Sequence, residues 1–400
     1  MKYLVVLLFV LPWSSPVSRE GSSSPYRFSN QIEEAFARDT TAGRVDLAAY
    51  HFSYIGEYKQ ALAYFDKGAS PRWVYPPKDS LLLHAYKPVP AREYILARAL
   101  KKQIVIINEA HHNPLHRVFT ASLLEGLYQA GFRYLGAETL GYADPGLNQR
   151  KYPTGQTGYY TQEPQYGNLI REALALGFTV FPYESGGPSP KEREIGQARN
   201  IQKVLQRNPK AKIIIHCGYS HAWEAAMGGD WEKAMAGRVK EFTGIDPFTI
   251  DQERWTEKSD PAKENPAYRM LRVNQPSVLV DQQGVAFTTL PNTTELTDIR
   301  VVHPRTTYRY GRPEWLLRDG KAKPFFLKKE QLNLGFPVLV LAYKANEPAE
   351  GRSALPPAVP VDVMELKAAG EQKALILPPG MYQLVVTNQG GQQQGFSIIH

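Results

Sequence analysis

Histidines and carboxylates follow four predicted strands in the middle of the chain. Glu109, His111 and Arg117 stand in the stretch NEAHHNPLHR, directly after the apolar run QIVII. The later members of the set, each after a further predicted strand, are Glu138, Glu184 and His221. Loops converge at the carboxyl ends of parallel strands, where ligands bind in open sheets. We therefore expect these side chains to meet in one site.

The first stretch predicts acid–base chemistry. Side chains alternate on leaving a strand, so Glu109 and His111 should face the same side while His112 points elsewhere. A carboxylate beside an imidazole fixes the tautomer of the ring and raises its basicity. Arg117 could hold a carboxylate or an oxyanion in a bidentate grip. An alternative is that His112 and His116, four residues apart, share a helix face as metal ligands.

The same donor types leave a divalent metal open as a cofactor. Neutral histidines and carboxylates suit zinc or manganese. The candidate ligands are Glu109, His111, Glu138 and His221. Cys217, the one cysteine, lies at the end of a buried apolar strand, and no G-x-S-x-G motif is present. Neither serine nor cysteine catalysis is favoured, and an internal disulfide is excluded.

A loop rich in tyrosine and glycine separates Glu138 from the next predicted helix. Between Gly141 and Gly167 it holds five tyrosines and five glycines, and we expect it to overhang the site. Tyrosine rings stack well on sugars, macrocycles and porphyrins. The other interpretation is a packed surface loop. The residues assigned to substrate binding are Glu184, Tyr142, Tyr183 and Tyr219.

The elements that must position these residues alternate between strand and helix. Strands are predicted at 103–107, 132–137, 178–183 and 211–216, with helices between them. Repeated βαβ units predict an α/β fold with a mainly parallel sheet and helices on both faces. This sheet is expected to be complete by Asp251. Short runs broken by glycine and proline then predict a small β-rich, sandwich-like domain that begins near Asn265.

The N-terminal region predicts export and a helical hairpin. An apolar run from Tyr3 to about Trp13 is typical of a secretory signal peptide, assigned to residues 1–18. Residues 48–68 place aromatic residues at helical spacing around Gly56, as in one tetratricopeptide-type helix pair, which either caps the next domain or binds a peptide. The expected domains are residues 1–18, a hairpin with linker at 26–90, an α/β core at 91–260 and the β-rich domain at 265–400.

Composition narrows the classes of protein. The chain has 400 residues, 43% hydrophobic and 22% charged, which is typical of a folded globular protein. Its 47 Lys and Arg against 39 Asp and Glu give a net charge of +8 without a basic block, so no nucleic-acid partner is expected. After the leader no stretch is long and apolar enough to cross a membrane. The sequence leaves the oligomeric state open.

These motifs together resemble those of a known superfamily. The elements Glu109-x-His111, Gly136-x-Glu138 and Gly218-x-x-His221 resemble those of erythromycin-esterase-like hydrolases and ChaN-like haem-binding proteins. More distantly, the glycine-x-x-histidine element is similar to that of the TraB and Tiki group, described as metal-dependent proteases. The resemblance covers about residues 91–251, and it departs from the ChaN pattern at Asn108 and His112. It implies an α/β fold with a site at Glu109, His111, Glu138 and His221.

The expected function is an exported hydrolase, periplasmic or extracellular, that acts on an ester, amide or related bond of a small molecule or peptide. His111 is expected to act as general base on water, oriented by Glu109. Glu138 and Glu184 would position water or a metal, and Arg117 and His221 would stabilise developing negative charge. The alternative is a haem- or porphyrin-binding protein of iron uptake. A binding scaffold built on the hairpin and the β-rich domain is a third hypothesis.

Overall fold

A computed structural model describes residues 24–68, 82–141, 144–227, 229–288, 296–351 and 357–400. The expected signal peptide and Tyr142 lie outside the described residues. The chain forms two compact units. Of the described residues, the first unit combines those up to Gly68 with Tyr152–Asn168 and Thr306–His400, and the second combines those from 82 to 151 with Leu169–Arg305.

Helices and strands alternate through the middle of the chain, and strands dominate its end. The helices are α1 (Ser29–Arg38), α2 (Arg44–Tyr54), α3 (Tyr58–Phe65), α4 (Ala91–Ala99), α5 (Leu115–Gln129), α6 (Leu147–Arg150), α7 (Pro164–Leu176), α8 (Pro190–Arg207), α9 (Met235–Thr243) and α10 (Pro266–Met270). The first eight strands are β1 (Lys87–Pro90), β2 (Ile104–Glu109), β3 (Tyr134–Ala137), β4 (Thr179–Pro182), β5 (Ile213–Gly218), β6 (Phe248–Asp251), β7 (Ser277–Val280) and β8 (Ile299–Arg300). The last eight are β9 (Tyr308–Arg309), β10 (Arg312–Pro313), β11 (Lys323–Phe325), β12 (Val338–Lys344), β13 (Asp362–Leu366), β14 (Leu375–Leu377), β15 (Met381–Asn388) and β16 (Gln393–Ile399).

The second unit is built on a six-stranded parallel sheet in the order β4-β3-β5-β2-β6-β8. The central strands β2 and β5 read IVIINE and IIIHCG and are buried along their whole length, as expected of parallel strands covered on both faces. Ala198 and Ile201 of α8 and Val239 of α9 pack on one face together with Ile213 and Ile215. The predicted α/β class is confirmed.

The sheet continues past the point where the sequence predicts its end. Strand β8 adds a sixth strand beside β6, and β7 pairs antiparallel with β1. Leu279, Phe287 and Val302 share an apolar cluster with Trp255 and Tyr268. The described residues of 265–305 therefore belong to the unit of the parallel sheet, and the expected boundary near Asn265 is wrong. A two-residue strand such as β8 is too short to show a periodic pattern in the sequence. It is recognised only from its pairing with β6.

The first unit joins the N-terminal helices to the C-terminal strands. Its main sheet has the antiparallel order β13-β12-β15-β16, in which β15 and β16 form a C-terminal hairpin. One face packs on α1 and α2 through Ile32, Phe52 and Leu341. The other face forms a core with β11 and β14. The helical hairpin and the β-rich region, expected as separate domains, thus share one core.

Ala286 and Val280 form one isolated bridge, and within 285–288 the structure has no regular strand. Among the described residues, no helix combines the length and apolar character needed to span a membrane.

Candidate active site

Glu109 ends β2 and is buried, with 1% of its surface exposed. Arg117, in the first turn of α5, places Nε 2.6 Å from Oε2 and Nη2 2.6 Å from Oε1. Nε2 of His216 on β5 lies 2.8 Å from Oε2, and Nδ1 of His111 lies 2.8 Å from Oε1. Both oxygens of Glu109 are therefore engaged by neighbouring side chains.

These contacts keep Glu109 ionised and orient His111. Burial favours the neutral acid, but Arg117, His216 and the hydrogen bonds outweigh it and hold the pKa of Glu109 well below its usual range. An ionised carboxylate only accepts hydrogen bonds, so Nδ1 of His111 must carry the shared hydrogen. In the neutral ring, Nε2 then keeps its lone pair. That atom lies 3.9 Å from Oε1 of Glu138.

Glu138 directly follows β3 and lies across from His111. Its Oε2 accepts a hydrogen bond from the backbone N–H of Gly218. Its Oε1 lies 3.0 Å from Nη2 of Arg193 and 3.6 Å from Nε2 of His221. Burial favours the neutral acid here too, but His221, His111 and Arg193 outweigh it and lower the pKa of Glu138. Glu138 is thus the carboxylate that both histidines face.

His221 lies between two carboxylates in the 3₁₀ turn that follows β5. Its Nδ1 is 2.9 Å from Oε2 of Glu194. Burial opposes the charged ring, but Glu138 and Glu194 outweigh it and raise the pKa of His221 above its ordinary value. Nη1 of Arg193 lies 3.0 Å from Nε2 of His221. A neutral ring accepts a hydrogen bond from Arg193, whereas a protonated ring donates toward Glu138, so this atom can hold or release a proton.

Helix α8 supplies Arg193 and Glu194 from its first turns. Ser189 caps this helix by accepting a hydrogen bond from a backbone N–H, and Pro190 fills the first helical position, so the sequence fixes where α8 begins. Nε and Nη2 of Arg193 hold the two oxygens of Glu184 at 3.0 and 2.7 Å. The Arg193 side chain is 34% exposed, whereas that of Glu138 is 4% exposed. Arg193 is therefore the partly exposed cation of this cluster.

Gly218 leaves the space that the His111 ring occupies. Its φ of −85° is open to any residue, so its backbone conformation does not require glycine. A Cβ at this position would lie 2.9 Å from Oε2 of Glu138 and nearer still to Cε1 and Nε2 of His111. The next residue, Tyr219, has a φ of 42°, and its ring meets that of His111 edge-on at 5.0 Å. The pair Gly218 and Tyr219 thus fixes the position of the His111 ring.

The structure brings most of the predicted site residues together. Hydrogen bonds and ion pairs link them as one cluster, whose predicted members are Glu109, His111, Glu138, Glu184 and His221. His112 points elsewhere, as the alternation predicts, with Nδ1 3.3 Å from the hydroxyl of Tyr219. Burial, together with Lys258, holds the pKa of His112 well below its ordinary value. His112 is therefore a neutral, buried neighbour of the cluster.

Two predicted roles are wrong. Arg117 was expected to stabilise charge on a substrate, but it is fully buried and holds Glu109 and the backbone carbonyl of His111. Tyr183 was expected to contact a substrate, but it is also fully buried, and its hydroxyl donates to the carbonyl of His216 at 3.1 Å. The first turn of α5 lies behind the end of β2, and Tyr183 turns into the core of the sheet.

Two residues of the cluster escape the strand-end pattern, whereas His216 stands at the end of the strand predicted at 211–216 and lies within β5. Arg193 and Glu194 lie on a helix, to which the pattern does not apply. The signal that could have found these two is the cap and proline of α8, which set its first turn shortly after Glu184.

The donor set does not fit a metal in this arrangement. Both oxygens of Glu109 are engaged, and the guanidinium of Arg193 lies within 3.0 Å of both Glu138 and His221. Across the part of the chain that the structure describes, no group of three or more His, Cys, Asp or Glu side chains is arranged to hold a metal ion. The cluster is instead a network of ion pairs and hydrogen bonds.

The tyrosine-rich loop makes contacts within the first unit. The ring of Tyr160 meets that of Tyr50 edge-on at 5.4 Å, and the hydroxyl of Tyr54 donates to the carbonyl of Tyr159 at 2.9 Å. These contacts match the packed-loop interpretation. That this loop stacks on a porphyrin remains a prediction from the sequence.

Comparison with known proteins gives only distant likenesses. No protein-family model and no curated protein matches the sequence. Among solved structures, the type III effector HopBA1 is 12% identical with a TM-score of 0.35 over 55% of this chain and 96% of its own. ChaN of Campylobacter jejuni, solved with cofacial haem, is 9% identical with a TM-score of 0.32 over 56% and 95%. RRSP, a MARTX toxin effector domain from Vibrio vulnificus CMCP6, is 18% identical with a TM-score of 0.29 over 53% and 42%. Likenesses of this size assign neither a family nor a function to the chain.

Proposed function

We propose that this chain is a hydrolase of an ester, amide or related bond in which water attacks the substrate directly. The observation that carries the proposal is the unequal setting of two histidines that face one carboxylate. Nδ1 of His111 donates to the ionised Glu109, which leaves Nε2 as a base. His221 lies between Glu138 and Glu194, which favour its protonated form. One ring thus presents a free Nε2 when it is neutral, and the other is favoured in its protonated form, which are the roles of a general base and a general acid.

The base is held rigidly. Glu109 is fixed by Arg117 and His216, so it cannot turn away from His111. Orientation by a buried carboxylate keeps the basic nitrogen of a histidine directed at its target. Nε2 of His111 and Oε1 of Glu138 are 3.9 Å apart, so one water molecule beside them could hydrogen-bond to both atoms. A water held there would present one proton to each of these atoms.

The electrophilic side is formed by Arg193 and His221. As the water oxygen bonds to the substrate carbonyl carbon, its proton passes to Nε2 of His111 and the carbonyl oxygen becomes negative. The partly exposed guanidinium of Arg193 would stabilise that charge, a contribution of about 10² to 10³ in rate for one donor. When the carbon to leaving-group bond breaks, protonated His221 donates its proton to the leaving oxygen or nitrogen. Exchange with solvent then removes the extra proton from His111 and restores the proton on His221, which closes the cycle. No side chain becomes covalently modified.

A thiol nucleophile is disfavoured by the setting of Cys217. It is fully buried, and burial raises the pKa of the thiol well above its ordinary value.

The proposal includes export, which rests on the apolar run from Tyr3 to Trp13 in the sequence.

The test compares the parent protein with His111→Ala on a panel of small-molecule esters, lactones, amides and peptides. Loss of a general base lowers turnover by about 10² to 10⁴-fold. His84→Ala, at an exposed position, is the matched control and should retain full activity. Far-UV circular dichroism checks that each variant is folded.

Two outcomes would contradict the proposal. Equal turnover by His111→Ala and the parent would remove His111 from the mechanism. A haem Soret band that is lost in His111→Ala, together with inactivity of the parent on the whole panel, would favour haem binding instead.

A further inference from the structure

The first unit carries an exposed group of basic and aromatic side chains, here called the cationic aromatic patch. Its members are Arg309, Tyr310, Lys321, Lys323, Phe326 and Lys328. Tyr310 is 38% exposed and Phe326 42%, and their rings meet edge-on at 5.1 Å. The guanidinium of Arg309 lies over the Tyr310 ring at 4.9 Å. Arg309 and the two rings are thus in contact, and the three lysines lie within five residues of Phe326 along the chain.

Burial alternates along the segment that contains β11. Lys321 and Lys323 are exposed on either side of the buried Ala322, and beyond the strand Phe326 and Lys328 are exposed around the buried Leu327. Within the described residues these three lysines form no ion pair with a carboxylate. The patch therefore keeps its positive charge.

The backbone holds Tyr310 outward at a cost. Strands β9 and β10 are joined by the two residues Tyr310 and Gly311, with φ of 53° and 67°. Both central residues of such a turn need positive φ, which favours glycine, asparagine or aspartate. A large aromatic residue at the first of these positions is strained. Because the backbone is strained and the ring is exposed, we expect the Tyr310 ring to contact another molecule rather than to stabilise the fold.

We infer that the cationic aromatic patch binds an anionic lipid surface. Lysines beside a membrane are attracted to anionic headgroups, and exposed Tyr and Phe rings insert at the headgroup boundary. Phe326 has no hydrogen-bonding group, so it suits the boundary of the acyl chains better than a hydroxyl-rich glycan. The excess of basic over acidic residues in the whole chain, 47 against 39, adds attraction of the same sign.

The test is sedimentation of the full chain with vesicles of phosphatidylcholine alone or with phosphatidylglycerol added. The parent should bind only the anionic vesicles, and salt should weaken that binding. Lys321→Gln with Lys323→Gln should lower the partition coefficient by about 25-fold, since each lysine near such a surface contributes about fivefold. Arg38→Gln with Lys67→Gln removes the same charge at another surface of this unit and should have a much smaller effect.

Tyr310→Gly separates binding from folding. It relieves the positive φ, so thermal unfolding should occur at the same or a higher temperature, while vesicle binding falls. Absence of binding to anionic vesicles by the parent would overturn the inference. So would equal losses in the two charge variants, unchanged binding by Tyr310→Gly, or binding to an acidic polysaccharide without binding to vesicles.

Discussion

Gly218→Ala should separate the position of His111 from the fold of the site. The backbone at Gly218 has a φ of −85°, so alanine fits its conformation. The backbone N–H that donates a hydrogen bond to Glu138 is retained. The added Cβ would lie 2.9 Å from Oε2 of Glu138 and nearer still to the His111 ring. Carbon contacts are comfortable at about 3.5 Å, so the ring must retreat by on the order of 1 Å.

A displacement of this size predicts the magnitude of the effect. Misplacement of a reacting group by about 1 Å can cost about 10²-fold in rate. Overpacking should lower the free energy of unfolding by about 1 to 3 kcal/mol, which urea titration would detect. Steady-state kinetics on whichever substrate the parent hydrolyses would measure kcat. Gly186→Ala is the matched control, because no atom lies within 4 Å of its added Cβ. Full activity of a folded Gly218→Ala variant would refute the proposed position of the base.

Three further substitutions test the surrounding network. Arg117→Met leaves the buried Glu109 without its guanidinium and should lower the free energy of unfolding by about 3 to 5 kcal/mol in urea titration. Arg193→Gln removes the partly exposed cation and should lower kcat by about 10² to 10³-fold, with a smaller loss of unfolding free energy than Arg117→Met because the guanidinium is partly solvated. Glu194→Gln removes a carboxylate that raises the pKa of His221, so the alkaline limb of the pH–rate profile should move to lower pH.

The raised pKa of His221 also makes the stability of the protein depend on pH. Because the folded-state pKa of His221 is raised, its contribution to the free energy of unfolding is complete below the ordinary value of 6.5 and is lost as pH rises through the folded value. Glu194→Gln should therefore destabilise the protein more at low than at high pH. Glu34→Gln, which breaks the exposed pair with Arg38, controls for Arg117→Met and should change stability by less than about 1 kcal/mol. An unshifted alkaline limb, an Arg193→Gln variant with parental kcat, or an equally small effect of Arg117→Met would contradict the respective assignments.

The positions of Glu109, His111, Glu138 and His221 could be predicted because parallel strands end at one edge of the sheet. The same rule could not predict Arg193 and Glu194, since their place depends on how α8 packs against the sheet. Nor could it separate Arg117 from Arg193. Both are arginines near a carboxylate, and only the tertiary structure shows that the first is buried while the second is 34% exposed.

The fold shows the same division between local pattern and tertiary contact. Long buried runs such as β2 and β5 are evident in the sequence, because continuous β-branched residues are typical of central parallel strands. The short strands β7 and β8 depend on partners distant in the chain. The boundary expected near Asn265 therefore lies instead at Thr306. The N-terminal helices gave no sign in the sequence that they share a core with β12 and β13.

The most direct test of the acid–base pair needs no substrate. Nitrogen chemical shifts of labelled histidines, followed by NMR through a pH titration, report the tautomer and pKa of each ring. We predict that neutral His111 carries its hydrogen on Nδ1, and that His221 titrates above 6.5 and shifts downward in Glu194→Gln. Variants that remove each histidine assign the signals. A hydrogen on Nε2 of His111, or a His221 that titrates below 6.5, would contradict the division into base and acid on which the proposed hydrolysis depends.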